Sequence, residues 1–505
     1  MPSADLHLRN IRLGRPVRGE SRVDIDICAG RIECIKPASA SPGNAVCGTI
    51  IDGADLIAYP GFVNAHMHSN EAFEQGCYEG QALEIWLAMA YPPLAREKLP
   101  PRLHYLRAMM VALQSLRSGV TALHDDFLNP GCCDDDLENV LDAYRDVGVR
   151  ASVAVTFGDR PYLDALADGR QFCPPELAAK LDALPVGEFA SQKRFFENAL
   201  NRLDRRGESR LSLSLGPRGP QRCTPGLLRG VAELAARHGV PVHMHLLESR
   251  AQALAAYRQY GKTFVEVLDD FGLLGPRLTL NHAVWLTSSD IALIAASGAK
   301  VVHNPLSNFK LSSGLCPLKK LLAAGITVGL GSDGPATGDT ADFLETIRMA
   351  ALVHKLDVEE ESEAPSANRI VAMATEDGAA TMGGKGRFGE IKVGQEADLA
   401  LLDASHFAFV PLNDAERQLC YSATSSAIHT VIVAGRVVFA NGKSTLLDEQ
   451  ALRAEIREYA DRFRHVVIPG RTAANRDVLP FLRQVLNNAR LHADSFNTVN
   501  RVRLP

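Results

Sequence analysis

Between residues 57 and 355 the chain repeats one beat: an apolar run of strand length, a polar turn, then an amphipathic run at helical spacing. Eight runs read as strands, at 57–68, 120–125, 149–157, 211–217, 240–247, 278–286, 300–304 and 326–333. The runs at 102–117, 134–146, 225–238, 249–260, 288–297 and 316–324 carry the 3.6-residue period, and 340–355 follows the eighth strand. Gly119, Gly148, Gly239, Gly298 and Gly325 stand just ahead of the next strand, where a helix C-cap glycine belongs. This is an α/β pattern, and eight alternations favour a (β/α)8 TIM barrel over an open doubly wound sheet. Inserts at 69–101 and 158–188 follow strand C-termini, so they should stand over the barrel mouth.

Both chain ends break the beat. Residues 5–57 read as short strands (6–13, 22–29, 31–37) broken at Gly30 and Gly43. Alternating strands with glycine turns return at 389–403 and 430–439. The expected organisation is a small composite β-sandwich built from both ends, with 1–57 and 389–445 as its parts and the barrel, 58–388, between them. Residues 446–505 read as a C-terminal helical extension (452–464, 477–491) ending in an extended tail.

Net charge is −5 with no Lys/Arg block, which argues against nucleic acid or an anionic membrane as partner. Residues 1–10 lack a basic-then-apolar leader, and no uncharged apolar run approaches membrane-spanning length. The ten cysteines are scattered, with one vicinal pair at Cys132-Cys133 and no Cys-x-x-Cys. Reduced, buried thiols in a cytoplasmic globular protein are the expectation.

The polar residues at the strand ends carry the chemistry. In His66-Met67-His68 the two imidazoles share a strand face and suit two ligands of one divalent metal, although His-x-His alone describes two ordinary histidines equally well. Strand two ends in His124 and Asp125, and strand four in Arg218. Strand five offers His243, His245 and Glu248, and strand six Asn281-His282. Strand seven gives His303-Asn304, and strand eight Gly331-Ser-Asp333. Catalytic groups in such barrels come from the C-terminal strand ends, and this convergence favours a metal site over buried structural histidines.

With these motifs the chain resembles the amidohydrolase superfamily, in its mononuclear deaminase branch, which includes guanine, cytosine and S-adenosylhomocysteine deaminases and the triazine hydrolases. The matching pieces are Pro60-Gly-Phe-Val-Asn-Ala-His-Met-His68, His245-Leu-Leu-Glu248, Asn281-His282, His303-Asn-Pro-Leu-Ser-Asn308 and Gly331-Ser-Asp-Gly334. Gly394-Gln-Glu-Ala-Asp398 and Val433-Ala-Gly-Arg436 match the family's sheet domain. The resemblance covers about residues 5–445.

It implies His66, His68, His245 and Asp333 as metal ligands. Glu248 would carry a proton to a ring nitrogen, His282 would polarise the attacking water or steady the oxyanion, and Asp333 would take the water's proton. One divalent ion is implied, Zn2+ first and Fe2+ as the alternative. Two-metal relatives add a carboxylated lysine from strand four, and residues 211–219 contain none.

The implied reaction is hydrolytic deamination of a small aminated nitrogen heterocycle (purine, pyrimidine, pterin or triazine type) by a homodimer or higher homo-oligomer. A hydrolase of similar build acting on a cyclic amide or carbon–halogen bond is the alternative.

Arg218, His303, Trp86 and His124 are the candidate substrate contacts. Against them stand an ion pair inside the barrel for Arg218, structural hydrogen bonds for the two histidines and packing for Trp86. Asp125 and Asp126 read as a turn or cap as readily as an anchor. In nucleoside-deaminating relatives an acidic residue often directly precedes the tryptophan, whereas Ile85 precedes Trp86 here and Glu84 lies one further back. Those relatives also favour His where this chain has Gly216-Pro-Arg218. Both departures argue against S-adenosylhomocysteine or methylthioadenosine, and for a smaller or more anionic ring. Gly329-Leu-Gly-Ser-Asp-Gly334 fits G-x-G-x-x-G, but it stands at the eighth strand rather than the first, and its Asp would repel a pyrophosphate.

Overall fold

The computed structural model describes residues 5–17, 20–38, 48–95, 99–356, 360, 363–492 and 498. Gly43 and nearly all of the expected tail lie outside these residues.

Eight parallel strands pair in chain order: Phe62–Met67, Val120–Asp125, Arg150–Phe157, Leu211–Pro217, Val242–Leu246, Leu278–His282, Lys300–His303 and Val328–Leu330. Helices such as Pro101–Arg117, Asp134–Val147, Phe189–Arg206 and Pro225–His238 return the chain between them. Leucines and valines of strands and helices form one continuous core at their interface.

At the seam between the first and eighth strands, side chains do part of the work of a ladder. Asn64 Nδ2 donates to Ser332 Oγ at 2.8 Å, and Ser332 N donates to Asn64 Oδ1 at 3.0 Å. Asp333 N then donates to the His66 carbonyl at 3.0 Å. Gly331 permits this approach, since a Cβ there would stand 2.2 Å from Asn304 Oδ1 and 2.9 Å from His66.

The first expected strand, 57–68, is two strands. Leu56–Pro60 joins the other sheet, antiparallel to Leu399–Asp403, and Phe62–Met67 joins the barrel. Pro60 and Gly61 make the break, and a Cβ on Gly61 would collide with Thr121 Oγ1 at 2.1 Å. The sixth strand stops at His282, short of the expected 286, because His282 and Ala283 take left-handed φ of 69° and 47°.

The second sheet has nine strands drawn from both chain ends. Its order runs Lys443–Ser444, Arg436–Ala440, Ile428–Val433, Leu399–Asp403, Leu56–Pro60, Leu6–Val17, Glu20–Cys28 and Arg31–Pro37, with Thr49–Asp52 beside Leu6–Val17. Leu8, Ile11, Ile25, Ile27, Leu399 and Leu401 form its own apolar core. Arg150, at the start of the third barrel strand, donates from Nε to Asp398 Oδ2 at 2.9 Å and also pairs with Glu396, tying this sheet to the barrel.

The extension comprises Glu449–Arg462, a π-helical turn at Phe463–Val467, Ile468–Ala474 and Val478–Leu491. Phe481, Leu482 and Val485 are buried against Ile85, Leu163 and Leu181 of the two inserts, so the extension covers the inserts above the mouth. Among the described residues no helix is long and apolar enough to cross a membrane.

Candidate metal centre and its cavities

His66 ends the first strand and His68 continues its extended backbone, so strand alternation carries both imidazoles to one point, with ring centroids 4.8 Å apart. The fifth strand brings His245 alongside, its ring stacked on His68 at 5.2 Å and its Nε2 3.2 Å from His68 Nε2. From the eighth strand Asp333 arrives in a left-handed turn (φ 60°), with Oδ1 3.3 Å from both His66 Nε2 and His68 Nε2. His66 Nε2 and Asp333 Oδ1 are buried and make no hydrogen bond.

The outer nitrogens are held elsewhere, which fixes which atoms face inward. His68 Nδ1 donates to the Asp126 carbonyl at 2.8 Å, His66 Nδ1 shares a 2.8 Å hydrogen bond with His243 Nε2, and His245 Nδ1 lies 3.3 Å from Asp126 Oδ2. Each Nε2 is thereby turned to the centre with its lone pair. Burial keeps His66 neutral, its pKa pushed down to about 3, and holds His245 well below the ordinary imidazole value. Burial opposes a charge on His68 too, but the Asp333 carboxylate 3.3 Å away draws its pKa well up. That proton and a cation compete for the same atoms. His66, His68 and Asp333 bring ligand atoms close enough for one cation, as do His66, His245 and His282, and the orphaned His66 Nε2 and Asp333 Oδ1 suit a divalent ion.

Beside this set His282 reaches two carboxylates: Nδ1 is 3.7 Å from Glu248 Oε1 and Nε2 is 4.0 Å from Asp333 Oδ2. Asn308 Oδ1 holds His282 Nδ1 at 2.9 Å. Left-handed backbone at Leu247 (φ 47°) ends the fifth strand before Glu248, whose main-chain N–H donates to Gln252 Oε1. Burial, with repulsion from Asp333 and Glu84, pushes the Glu248 carboxyl well up. Burial acts the same way on Asp333, but the His66 and His68 imidazoles, each 3.3 Å from its Oδ1, hold it well below the carboxylate range. Environment thus separates the two, one acid and one carboxylate.

A cavity of about 100 Å³ opens on these groups, with Trp86, Tyr91, Arg218, Glu71 and Asp126 in its wall. Trp86 and Arg218 are therefore placed where the sequence put a substrate. His124 and His303 sit in the barrel interior instead. His124 stacks on His243 at 3.7 Å and hydrogen-bonds Ser214 Oγ at 2.8 Å, while His303 pairs with His354 at 3.0 Å. Among the aromatic residues of this region, Trp86 and Tyr91 line the cavity, whereas Phe73 packs on Phe463 and Phe157 on Phe196. Glu84 turns away from the centre and hydrogen-bonds Ser249 Oγ.

Of two further lining acids, Glu71 escaped the sequence reading, and Asp126 entered it only as a turn, a cap or an anchor. Glu71 accepts from the Tyr91 hydroxyl, and burial lifts its pKa to about 8. Its nearness to His68 was the available signal, three residues along the chain. Burial lifts Asp126 to about 7, and its contact with His245 was not legible, because Asp125 is the cap-like member of that pair, bonded to Ser69 and Tyr144.

The chain matches the Amidohydrolase family over residues 57–438. It is 31% identical over 446 residues to the 5-methylthioadenosine/S-adenosylhomocysteine deaminase of Moorella thermoacetica, covering 88% of this chain and 96% of that one. The 5'-deoxyadenosine deaminase of Methanosarcina barkeri is 31% identical over 417 residues, 82% of this chain and 88% of its own length. An adenosine deaminase from Xanthomonas campestris, solved with bound zinc, superposes with a TM-score of 0.79 at 26% identity, covering 92% of this chain and all (100%) of its own. A mutant atrazine chlorohydrolase from Arthrobacter aurescens, complexed with zinc and atraton, superposes with a TM-score of 0.80 at 26% identity, covering 90% of this chain and 100% of its own.

Proposed function

The chain belongs to the amidohydrolase family, and on that premise we propose that it is a zinc-dependent aminohydrolase removing the amine of an aminated nitrogen heterocycle as ammonia. The observation that carries this reading is the placement of His282 between Glu248, whose burial favours its acid form, and Asp333, whose imidazole neighbours favour its carboxylate, beside three further histidines. His66, His68, His245 and Asp333 would hold the ion, which supplies a water acidified toward neutrality.

The chain's own residues then divide the proton work. Asp333 takes the proton of the attacking water, and Glu248 gives its proton to the ring nitrogen beside the amine-bearing carbon, so the tetrahedral adduct forms without building up charge. His282, whose Nδ1–H donates to Asn308 Oδ1, turns the lone pair of Nε2 toward the attacking water and polarises its O–H. A proton returned to the amine lets it leave, and water plus aminated ring give oxo ring plus ammonia. Arg218 and Trp86 bind the ring from the cavity wall. His124 and His303 act from beneath, His124 by stacking on the His243 that holds His66.

The relatives' names shift the substrate reading. Ile85 and Arg218 argued against methylthioadenosine and S-adenosylhomocysteine, yet relatives named for those nucleosides align over 88% of the chain. An aminated purine bearing a sugar-side arm is thus the leading class. Its test is ammonia release by metal-replete protein across aminated purines, pyrimidines, pterins and triazines, with chloride read in parallel. Ammonia from one ring class is expected. Chloride alone would move the chemistry to halide displacement, the activity in the name of the atrazine chlorohydrolase.

A further inference from the structure

Outside the small cavity lies a larger one of about 660 Å³, and the two share Tyr91, Leu128, Arg218 and Arg222 in their walls. Guanidiniums reach the outer cavity from separate parts of the chain. Arg107 comes from the helix Pro101–Arg117, Arg160 from the insert after the third strand, and Arg218 and Arg222 from the turn after the fourth. Arg471 comes from the C-terminal extension, beyond the 57–438 family match. Among the described residues in this wall, Asp136 is the only carboxylate.

Glu74 Oε1 accepts from Arg471 Nη1 at 2.8 Å and also stands 3.7 Å from Arg107 Nη2, so one carboxylate serves two guanidiniums. Arg107 is 2% exposed, and its Nε and Nη2 make no hydrogen bond. Burial lowers its pKa to about 10, which leaves it cationic at neutral pH. Arg160 donates from Nη2 to the Cys223 carbonyl and the Tyr260 hydroxyl, while its Nε is also buried without a partner. Buried guanidiniums with unused donors are complementary to a carboxylate or phosphate. Arg471 is fixed in place, since its Nη1 also donates to the Ala90 carbonyl at 2.7 Å and the following helix is anchored by Phe481 and Leu482.

We propose that the outer cavity is a subsite for an anionic arm, phosphate or carboxylate, on the amine-bearing substrate, and that the C-terminal extension completes it by supplying Arg471. The inference rests on the aminohydrolase reading of the inner site.

The test titrates metal-replete protein with 5'-deoxyadenosine, adenosine 5'-monophosphate and adenosine 5'-carboxylate, reading both Kd and kcat/KM. One anionic ligand is expected to bind about tenfold or more tighter than the neutral one, as charge-assisted hydrogen bonds imply. Which anion wins tells phosphate from carboxylate. R471Q and R160Q should each collapse that ratio toward one, and added salt should shrink it. Two substitutions are used because Arg471 also braces Glu74, and melting curves check that each variant is folded.

Anionic preference without deamination of any ligand would keep the subsite and sink the deaminase reading. Deamination of all three with equal kcat/KM and equal Kd would sink the subsite and keep the deaminase. No binding of any ligand, or a preference that survives both substitutions, would overturn the subsite.

Discussion

The imidazole of His282 spans two carboxylates of opposite protonation preference, its Nδ1 3.7 Å from Glu248 and its Nε2 4.0 Å from Asp333. Two carboxylates and an imidazole from three different strand ends thus stand within one side chain's reach.

Glu248→Gln removes the acid while leaving the donor set intact. Metal content should stay at the level of the unsubstituted protein, while kcat falls by about 10²–10⁴-fold, the range for losing a positioned acid–base group. An active, metal-replete variant would take Glu248 out of the mechanism.

His68→Ala removes a donor that contacts both His245 and Asp333. Elemental analysis after dialysis should find the metal lost, and added Zn2+ should no longer raise the melting temperature as it does when an ion binds only the folded state. Full occupancy would break the ligand assignment.

Asn308→Ala leaves donors and acid in place but frees His282 Nδ1. A drop in kcat of about 10–100-fold, with KM and metal content nearly unchanged, is expected of a lost orienting hydrogen bond. Wild-type kcat in this variant would show that His282 needs no anchor.

Arg150→Met leaves Asp398 buried without its guanidinium at the junction of sheet and barrel, where the two side chains are 3% and 1% exposed. Stranding one charge of such a pair costs about 3–5 kcal/mol. Denaturant titration reads this as a lower midpoint, and an unchanged midpoint would mean that Glu396 and Asp398 are solvated without Arg150.

Partial burial disfavours ionisation of Asp26, but His7, Arg9 and Lys36 hydrogen-bond it and carry its pKa down to about 2. A carboxylate with a lowered folded-state pKa contributes stability that is present above its ordinary value of 3.8 and lost as pH falls toward 2. Asp26→Asn should therefore be less stable than the parent at pH 6, and the gap should close on acidification through that window. A gap independent of pH would assign the loss to packing.

The barrel, the histidine set and Asp333 were legible because their signals are local. Period-two alternation put His66 and His68 on one face, and the repeated strand–helix beat aimed every strand end at one mouth. Other features depend on partners far along the chain. The run 57–68 carries a Pro60-Gly61 break, but nothing within it says that residues before Gly61 pair with Leu399–Asp403 while those after it pair with Val120–Asp125. His124 and His303 looked like cavity residues by their strand-end positions, but the rings of His243 and His354 take them into the interior. Arg471 lies 397 residues from Glu74, its partner, between the helical patterns at 452–464 and 477–491 and in no motif.

The seam of the barrel has a further meaning. Asn64 lies two residues before His66, and Ser332 directly precedes Asp333, so the amide–hydroxyl bridge that shuts the cylinder also sets the separation of two donor side chains. Closure and coordination share one mechanical element. Opening this seam would part His66 from Asp333, so an ion held between them would act as a clasp where the ladder between the first and eighth strands is not closed.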